Sequence, residues 1–155
     1  HNTPSVIALS RQKVPYINPK NSKENKCING AYEVNITSHE SNVTLIASGT
    51  EVELALKVQE KLKDNNIHSK VVSMPCMSLF DKQSDEYKKD IIDEDALVIT
   101  LEAGSVTHWQ KYIKNKGLNL GLDQFGESGP YKEVYDHFNL TEEKITNIIQ
   151  DKLRE

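Results

Sequence analysis

Between Val43 and Leu101 short apolar runs alternate with segments of helical period, and this alternation constrains the fold more than any other feature. Val43 to Ala47 is apolar apart from Thr44 and reads as a strand. Ser48-Gly49 then turns the chain into a helix. Thr50 and Glu53 form a T-x-x-E pattern, which predicts a capping box that satisfies orphan amide hydrogens at the helix start. Val52, Ala55, Leu56, Gln59 and Leu62 share one helical face, with only Gln59 polar. Asp64-Asn65-Asn66 ends the helix, and Lys70 to Met74 is the next strand, stopped by Pro75. Strand, helix, strand at this spacing is the parallel crossover unit.

The pattern continues to the end of the chain. Ser78 to Ile92 contains a helix, with Ser78 as its expected cap, and Ala96 to Leu101 is a near-continuous apolar strand. Val106 to Lys114 reads as a helix bearing Trp109, ended by Gly117; Leu118 to Leu122 is a last short strand. After the turn Gly126-Glu127-Ser128-Gly129-Pro130 come a helix from Tyr131 to Phe138 and another from Glu142 to Leu153. Thr141 should cap the latter, whose inner face carries Ile145, Ile148, Ile149 and Leu153. Upstream, Ala31 to Ile36 suits a strand, and the loop of residues 37–42 is too short for a crossover. That strand should therefore run against the one at Val43 to Ala47. Residues 30–155 are thus expected to form a three-layer α/β/α domain. Its five-stranded sheet is mixed but mostly parallel, with the first strand antiparallel.

Ahead of this domain, Ser5 to Leu9 reads as a short buried strand. Lys13 to Asn29, with Pro15 and Pro19 and no apolar period, reads as a linker or surface loop. The first strand is thereby cut off from every other strand. The chain opens His1-Asn2-Thr3-Pro4, without an initiator Met and without a basic stretch followed by an apolar one, which predicts no secretory signal and points to a fragment, a processed chain or an added remnant at His1.

Composition excludes several function classes. The net charge of −4 and the lack of a long basic block argue against a nucleic-acid partner. A membrane helix needs roughly 20 apolar residues, and no run approaches that. Cys27 and Cys76 are far apart in sequence and read as free thiols of a reducing, cytoplasmic compartment.

Candidate chemistry is sparse. No pair among His1, His39, His68, His108 and His137 has the spacing that puts two imidazoles on one metal. Ser48 sits at a strand-to-helix turn, but Ile46 and Thr50 stand where a nucleophile elbow needs glycines, so a turn and helix cap is the better reading. A phosphate at that helix start would meet Glu51 and Glu53. Glu102 lies where a parallel strand ends, the side on which such sheets bind ligands, yet a partner carboxylate cannot be picked out. Asp85-Glu86 and Asp93-Glu94-Asp95 read as solvated charges. Arg11, between Ser10 and Gln12, could clamp a phosphate or carboxylate with a paired fork, or make a structural salt bridge; spacing does not choose.

Six strings in order are more specific than any of these. They are Leu9-Ser10-Arg11-Gln12; Ala47-Ser48-Gly49-Thr50-Glu51-Val52-Glu53-Leu54-Ala55; Val71-Val72-Ser73-Met74-Pro75; Leu79-Phe80-Asp81-Lys82-Gln83 with Tyr87; Leu101-Glu102-Ala103-Gly104; and Phe125-Gly126-Glu127-Ser128-Gly129-Pro130. With them the chain resembles the C-terminal part of transketolases along nearly its whole length. The resemblance implies that residues 1–20 are the tail of a pyrimidine-binding domain, 21–29 a linker and 30–155 the third, C-terminal domain. It implies strand order 1-3-2-4-5, and explains the lone first strand as part of a neighbouring sheet. It further implies a parent that moves a two-carbon ketol unit from a ketose phosphate to an aldose phosphate in the pentose phosphate pathway. That parent would be a homodimer using thiamine diphosphate and a divalent metal (Mg or Ca), neither held by this chain. Arg11 would contact the substrate phosphate; no catalytic, cofactor or metal residue carries over, so this chain alone would be inactive.

Two other readings stay open. One is the third domain of a related thiamine enzyme, such as deoxyxylulose phosphate synthase or a pyruvate dehydrogenase component. The other is a non-catalytic binding module or separate subunit, which the lone strand, with its unpaired backbone groups, counts against.

Overall fold

Successive side chains along the inner strands point to opposite faces of the sheet and divide the core in two. The computed structural model describes residues 4, 6, 9–10, 13–17, 25–36, 41–113 and 116–155. Its five strands are β1 (Tyr32–Ile36), β2 (Val43–Ala47), β3 (Ser69–Ser73), β4 (Leu97–Ser105) and β5 (Leu118–Leu122). They lie in the order β1-β3-β2-β4-β5, with β1 antiparallel to β3 and every other pairing parallel. β1 does run against β2, as the short loop demands, although β3 lies between them.

One face of the sheet, with Val43, Leu45, Val71, Ile99 and Leu101, packs on α1 (Glu51–Asp64) and α5 (Glu142–Arg154). The other, with Ile46, Val72 and Val98, packs on α2 (Met77–Phe80), α3 (Asp85–Ile91) and a 3₁₀ helix at Thr107–Tyr112. A short α4 (Tyr131–His137) lies between β5 and α5. The chain passes from β2 out to β3, then back past β2 to β4. Crossovers in opposite directions put helices on opposite faces, which gives the three layers.

Gln59, the polar residue on the inner face of α1, is fully buried and fully used. Its Oε1 accepts from Asn35 Nδ2 at 2.9 Å, and its Nε2 donates to the Ser69 carbonyl at 2.9 Å. It thereby ties the helix to β1 and β3. Leu54 and Val58 widen the buried face beyond the residues expected from the sequence.

Several local expectations are corrected. Thr50 is not a side-chain cap: its backbone is already helical, and the first amides bond to the carbonyls of Ser48, Gly49 and Thr50 instead. Glu53 therefore does not reach back but pairs forward with Lys57 at 2.7 Å. Ser78 lies inside α2, its hydroxyl against Cys76 Sγ. Ser84 caps α3 by accepting from the Tyr87 amide at 3.2 Å. The segment around Trp109 is a 3₁₀ helix rather than an α-helix. β4 runs past Leu101 to Ser105, and Leu153 is exposed rather than on the inner face of α5. Thr141 does cap α5, accepting from the Lys144 amide. The proposed first strand lies mostly outside the described residues. Its Val6 and Leu9 are 94% and 84% exposed.

Candidate functional site

In an open parallel sheet, ligands favour the strand ends where the winding reverses, here the carboxyl ends of β2 and β4. Gly49, at φ +56°, turns the chain from β2 into α1. The first residue of that helix, Glu51, is buried and its Oε1 accepts from two hydroxyls. One is Thr50 Oγ1 at 2.7 Å, the other Tyr135 at 2.6 Å. Burial, and then the bond to Glu51, pushes the Tyr135 hydroxyl well above its usual value; the charge of Glu102 adds a smaller push.

Glu102, at the end of the buried part of β4, is engaged as well. Its Oε2 accepts from Trp109 Nε1 at 3.1 Å and lies 3.7 Å from His108 Nε2. Trp109 is fully buried, and an indole N–H in such a place needs an acceptor. Both carboxylates at this end of the sheet thus hold helices in place. Neither has the unencumbered geometry of a general acid or base.

The F-D-K-Q string has a structural account too. Phe80 is 1% exposed and meets the rings of Tyr87 and Tyr112, with centroids 6.4 and 5.8 Å away. Asp81 accepts from the Tyr112 hydroxyl at 2.8 Å and from Lys111. Lys111 lowers the carboxyl's pKa most, and burial pushes the Tyr112 hydroxyl up to about 12. Tyr87 donates to the Ala31 carbonyl at 2.8 Å and accepts from Asn29 Nδ2 at 3.3 Å, which fastens α3 to the start of the domain.

Two open clefts flank this framework. One, of about 530 Å³, lies between α1, α4 and the start of α5, with Lys13, Lys57, Tyr131 and Tyr135 on its walls. The other, of about 400 Å³, lies between α3 and the 3₁₀ helix, over Ile92 and Val98. Cys27 and Cys76 are free thiols, and contact with the Ser78 hydroxyl draws the Cys76 pKa down. Among the described residues, no group of three or more His, Cys, Asp or Glu could hold a metal ion. No described helix is long and apolar enough to cross a membrane. Arg11 lies outside the described residues. Sequence reasoning missed Tyr135, whose only signal, a polar atom on a half-buried helix, has no partner nearby in the chain.

The family profile described as "Transketolase-like TK C-terminal domain" matches residues 30–141. The chain belongs to the transketolase C-terminal domain family. This transketolase C-terminal domain is 38% identical over 146 residues to the chloroplastic transketolase of Solanum tuberosum, covering 92% of this chain and 19% of the relative. The Campylobacter jejuni transketolase structure superposes with a TM-score of 0.80 at 34% identity, over 91% of this chain and 21% of that one. A Pichia stipitis transketolase mutant solved in complex with xylulose 5-phosphate superposes with a TM-score of 0.76 at 29% identity, over 83% and 18%. The chain spans about one fifth of the length of the curated relatives it matches.

Proposed function

We propose that this chain serves as the C-terminal part of a transketolase, a parent that transfers a two-carbon ketol unit from a ketose phosphate to an aldose phosphate. The observation that carries this reading is the family match over residues 30–141, preceded by Ser10-Arg11-Gln12. Within the parent, residues 1–20 end the pyrimidine-binding domain, 21–29 link, and 30–155 form the third domain. The parent is a homodimer acting on sugar phosphates, in keeping with the xylulose 5-phosphate bound to the Pichia stipitis relative.

Thiamine diphosphate and a divalent metal supply the carbanion chemistry in that parent. The described residues do not fit either group. They offer no metal-ligand cluster, and Glu51 and Glu53 at the start of α1 would oppose a diphosphate. This chain's part is to bind and support: the Arg11 guanidinium forks onto the substrate phosphate, and the domain packs against its neighbours.

Steady-state kinetics of Arg11→Ala in the parent test the assignment. The KM for phosphorylated substrates should rise about tenfold or more, with KM for an unphosphorylated ketol donor unchanged. An unaltered KM for phosphorylated sugars would overturn the role of Arg11. Absence of thiamine-dependent ketol transfer by the unmodified parent would overturn the reading itself.

A further inference from the structure

Asn29-Gly30 is the one Asn-Gly pair in the chain. In such a pair the glycine amide nitrogen can attack the side-chain carbonyl carbon of the asparagine. Without a Cβ on the glycine, nothing crowds the five-membered ring that forms. The bond from the Gly30 nitrogen to Asn29 Cγ is made and the Cγ–Nδ2 bond is broken. The Gly30 amide proton goes to solvent base, and the departing nitrogen takes up a proton and leaves as ammonia. Water then opens the succinimide at one of its two carbonyls. Position 29 becomes an aspartate or an isoaspartate, and in the latter the main chain runs through the former side chain. The only co-reactant is water.

The fold holds both reacting groups. The Gly30 amide donates to the Cys27 carbonyl at 3.0 Å, closing the 3₁₀ turn at Lys26–Asn29. Asn29 Nδ2 donates to the Tyr87 hydroxyl at 3.3 Å, and that hydroxyl donates to the Ala31 carbonyl at 2.8 Å. Gly30 is buried, and its carbonyl accepts from the Cys76 amide at 3.0 Å. A Cβ on it would stand 2.3 Å from the Phe80 amide nitrogen, so the backbone of α2 closes over it. The nucleophile is thus hydrogen-bonded and enclosed, and the amide it would attack is tethered to α3. Ring closure needs the 3₁₀ turn to open, the same motion that frees the Gly30 amide for hydrogen exchange.

We infer that Asn29 is a deamidation site, latched by Tyr87 and the 3₁₀ turn, and that its conversion to isoaspartate unseats Gly30 from the start of α2. Isoaspartate adds one main-chain carbon ahead of the Gly30 nitrogen, where the enclosure leaves no slack. The new carboxylate also lacks the donor that Asn29 Nδ2 gives to Tyr87. The inference does not depend on the ketol-transfer reading.

Peptide mapping by mass spectrometry tests it, on the full polypeptide carrying this sequence, aged at mildly alkaline pH. Labelling by an isoaspartyl methyltransferase identifies the isoaspartate product. Asn29 should convert at least about tenfold more slowly in the folded protein than in denaturant, because the reaction waits on an opening. Tyr87→Phe should speed conversion in the folded protein about three- to tenfold, and exchange of the Gly30 amide by the same factor, with the rate in denaturant unchanged. Tyr135→Phe, which removes a hydroxyl on the opposite face of the sheet, controls for a general loss of stability and should leave the Asn29 rate as it was. The isoaspartate form, separated by ion exchange, should show faster exchange of the Cys76 amide than the unconverted protein. No conversion of Asn29 in denaturant would overturn the site. Equal rates folded and denatured, or acceleration by Tyr135→Phe equal to that by Tyr87→Phe, would overturn the latch. Unchanged exchange at Cys76 would overturn the unseating of Gly30.

Discussion

The Tyr135 hydroxyl donates to the buried carboxylate of Glu51 at 2.6 Å, joining α4 to the first residue of α1 across 84 positions of sequence. A charge-assisted bond of this kind is worth more than a neutral one, and its loss leaves a buried acceptor short of a donor. Tyr135→Phe should therefore cost about 1–3 kcal/mol in denaturant unfolding. The pH dependence has a definite sign. The native state holds the Tyr135 proton more tightly than the unfolded chain, whose tyrosine titrates near 10.0. The stability this contributes is complete below pH 10.0 and is lost as pH climbs toward the raised native value. The phenylalanine variant should lose part of the alkaline fall in stability seen in the parent sequence.

Phe80 and Phe125 both belong to strings by which the family is recognised, but they sit in opposite surroundings. Phe80 is 1% exposed and Phe125 97% exposed. Phe80→Ala should destabilise the domain by about 3–5 kcal/mol, through lost burial and the cavity left behind. Phe125→Ala should stay within about 0.5 kcal/mol. Thermal unfolding of the two variants checks the contrast. A large loss at Phe125 would mean that the side chain is covered in solution.

Gln59→Met keeps the volume and removes the donors and acceptor. The Ser69 carbonyl and the Asn35 amide group would then lose their partner beneath α1. The expected cost is about 1–3 kcal/mol, from unpaired polar groups rather than from packing. Faster hydrogen exchange in β1 and β3 than elsewhere in the sheet should accompany it, because those strands hold the freed groups.

Which features the sequence reveals follows from how local their causes are. β5 is bounded by Gly117 and keeps a strict alternation, so its observed range, Leu118–Leu122, matches the expected one. β4 overruns its expected end at Leu101 because Ser105 still pairs with Leu122 beyond a register shift, and that pairing depends on a strand thirteen positions further on. The capping-box expectation failed for a related reason. The T-x-x-E pattern is present, but the Thr50 hydroxyl goes to Glu51, whose carboxylate is held by Tyr135. Gln59 was visible as the one polar residue on an apolar face, yet nothing in the sequence shows that Asn35 and Ser69 receive it. Arg11 was singled out by its strand-end position and by family resemblance, and it lies outside the described residues.

Asp81→Asn tests the link between the F-D-K-Q string and the 3₁₀ helix by spectroscopy. The Tyr112 hydroxyl is held up to about 12 by burial first and by its bond to Asp81 second, while Lys111 pulls the other way. An amide at position 81 removes the anionic acceptor and leaves burial and Lys111 in place. The Tyr112 ionisation should then shift to lower pH. Ultraviolet absorbance titration, with Tyr112→Phe to identify the transition, measures the shift. An unmoved titration would mean that Asp81 does not accept from Tyr112.

Gly30 and Gly49 both have positive φ, at +82° and +56°, but only one is enclosed. A Cβ at Gly30 would lie 2.3 Å from the Phe80 amide nitrogen and 2.4 Å from the Cys76 carbonyl oxygen, both backbone atoms that cannot swing aside. At Gly49 nothing stands within 4 Å. Gly49→Ala should therefore cost only the strain of the left-handed region, about 1–2 kcal/mol. Gly30→Ala adds a backbone collision to the same strain, for a total on the order of 4 kcal/mol. The extra loss at Gly30 should appear first as weaker protection of the Cys76 amide, which bonds to the Gly30 carbonyl at 3.0 Å. Equal costs at the two glycines would show that the contact between Gly30 and the start of α2 is looser than the structure has it.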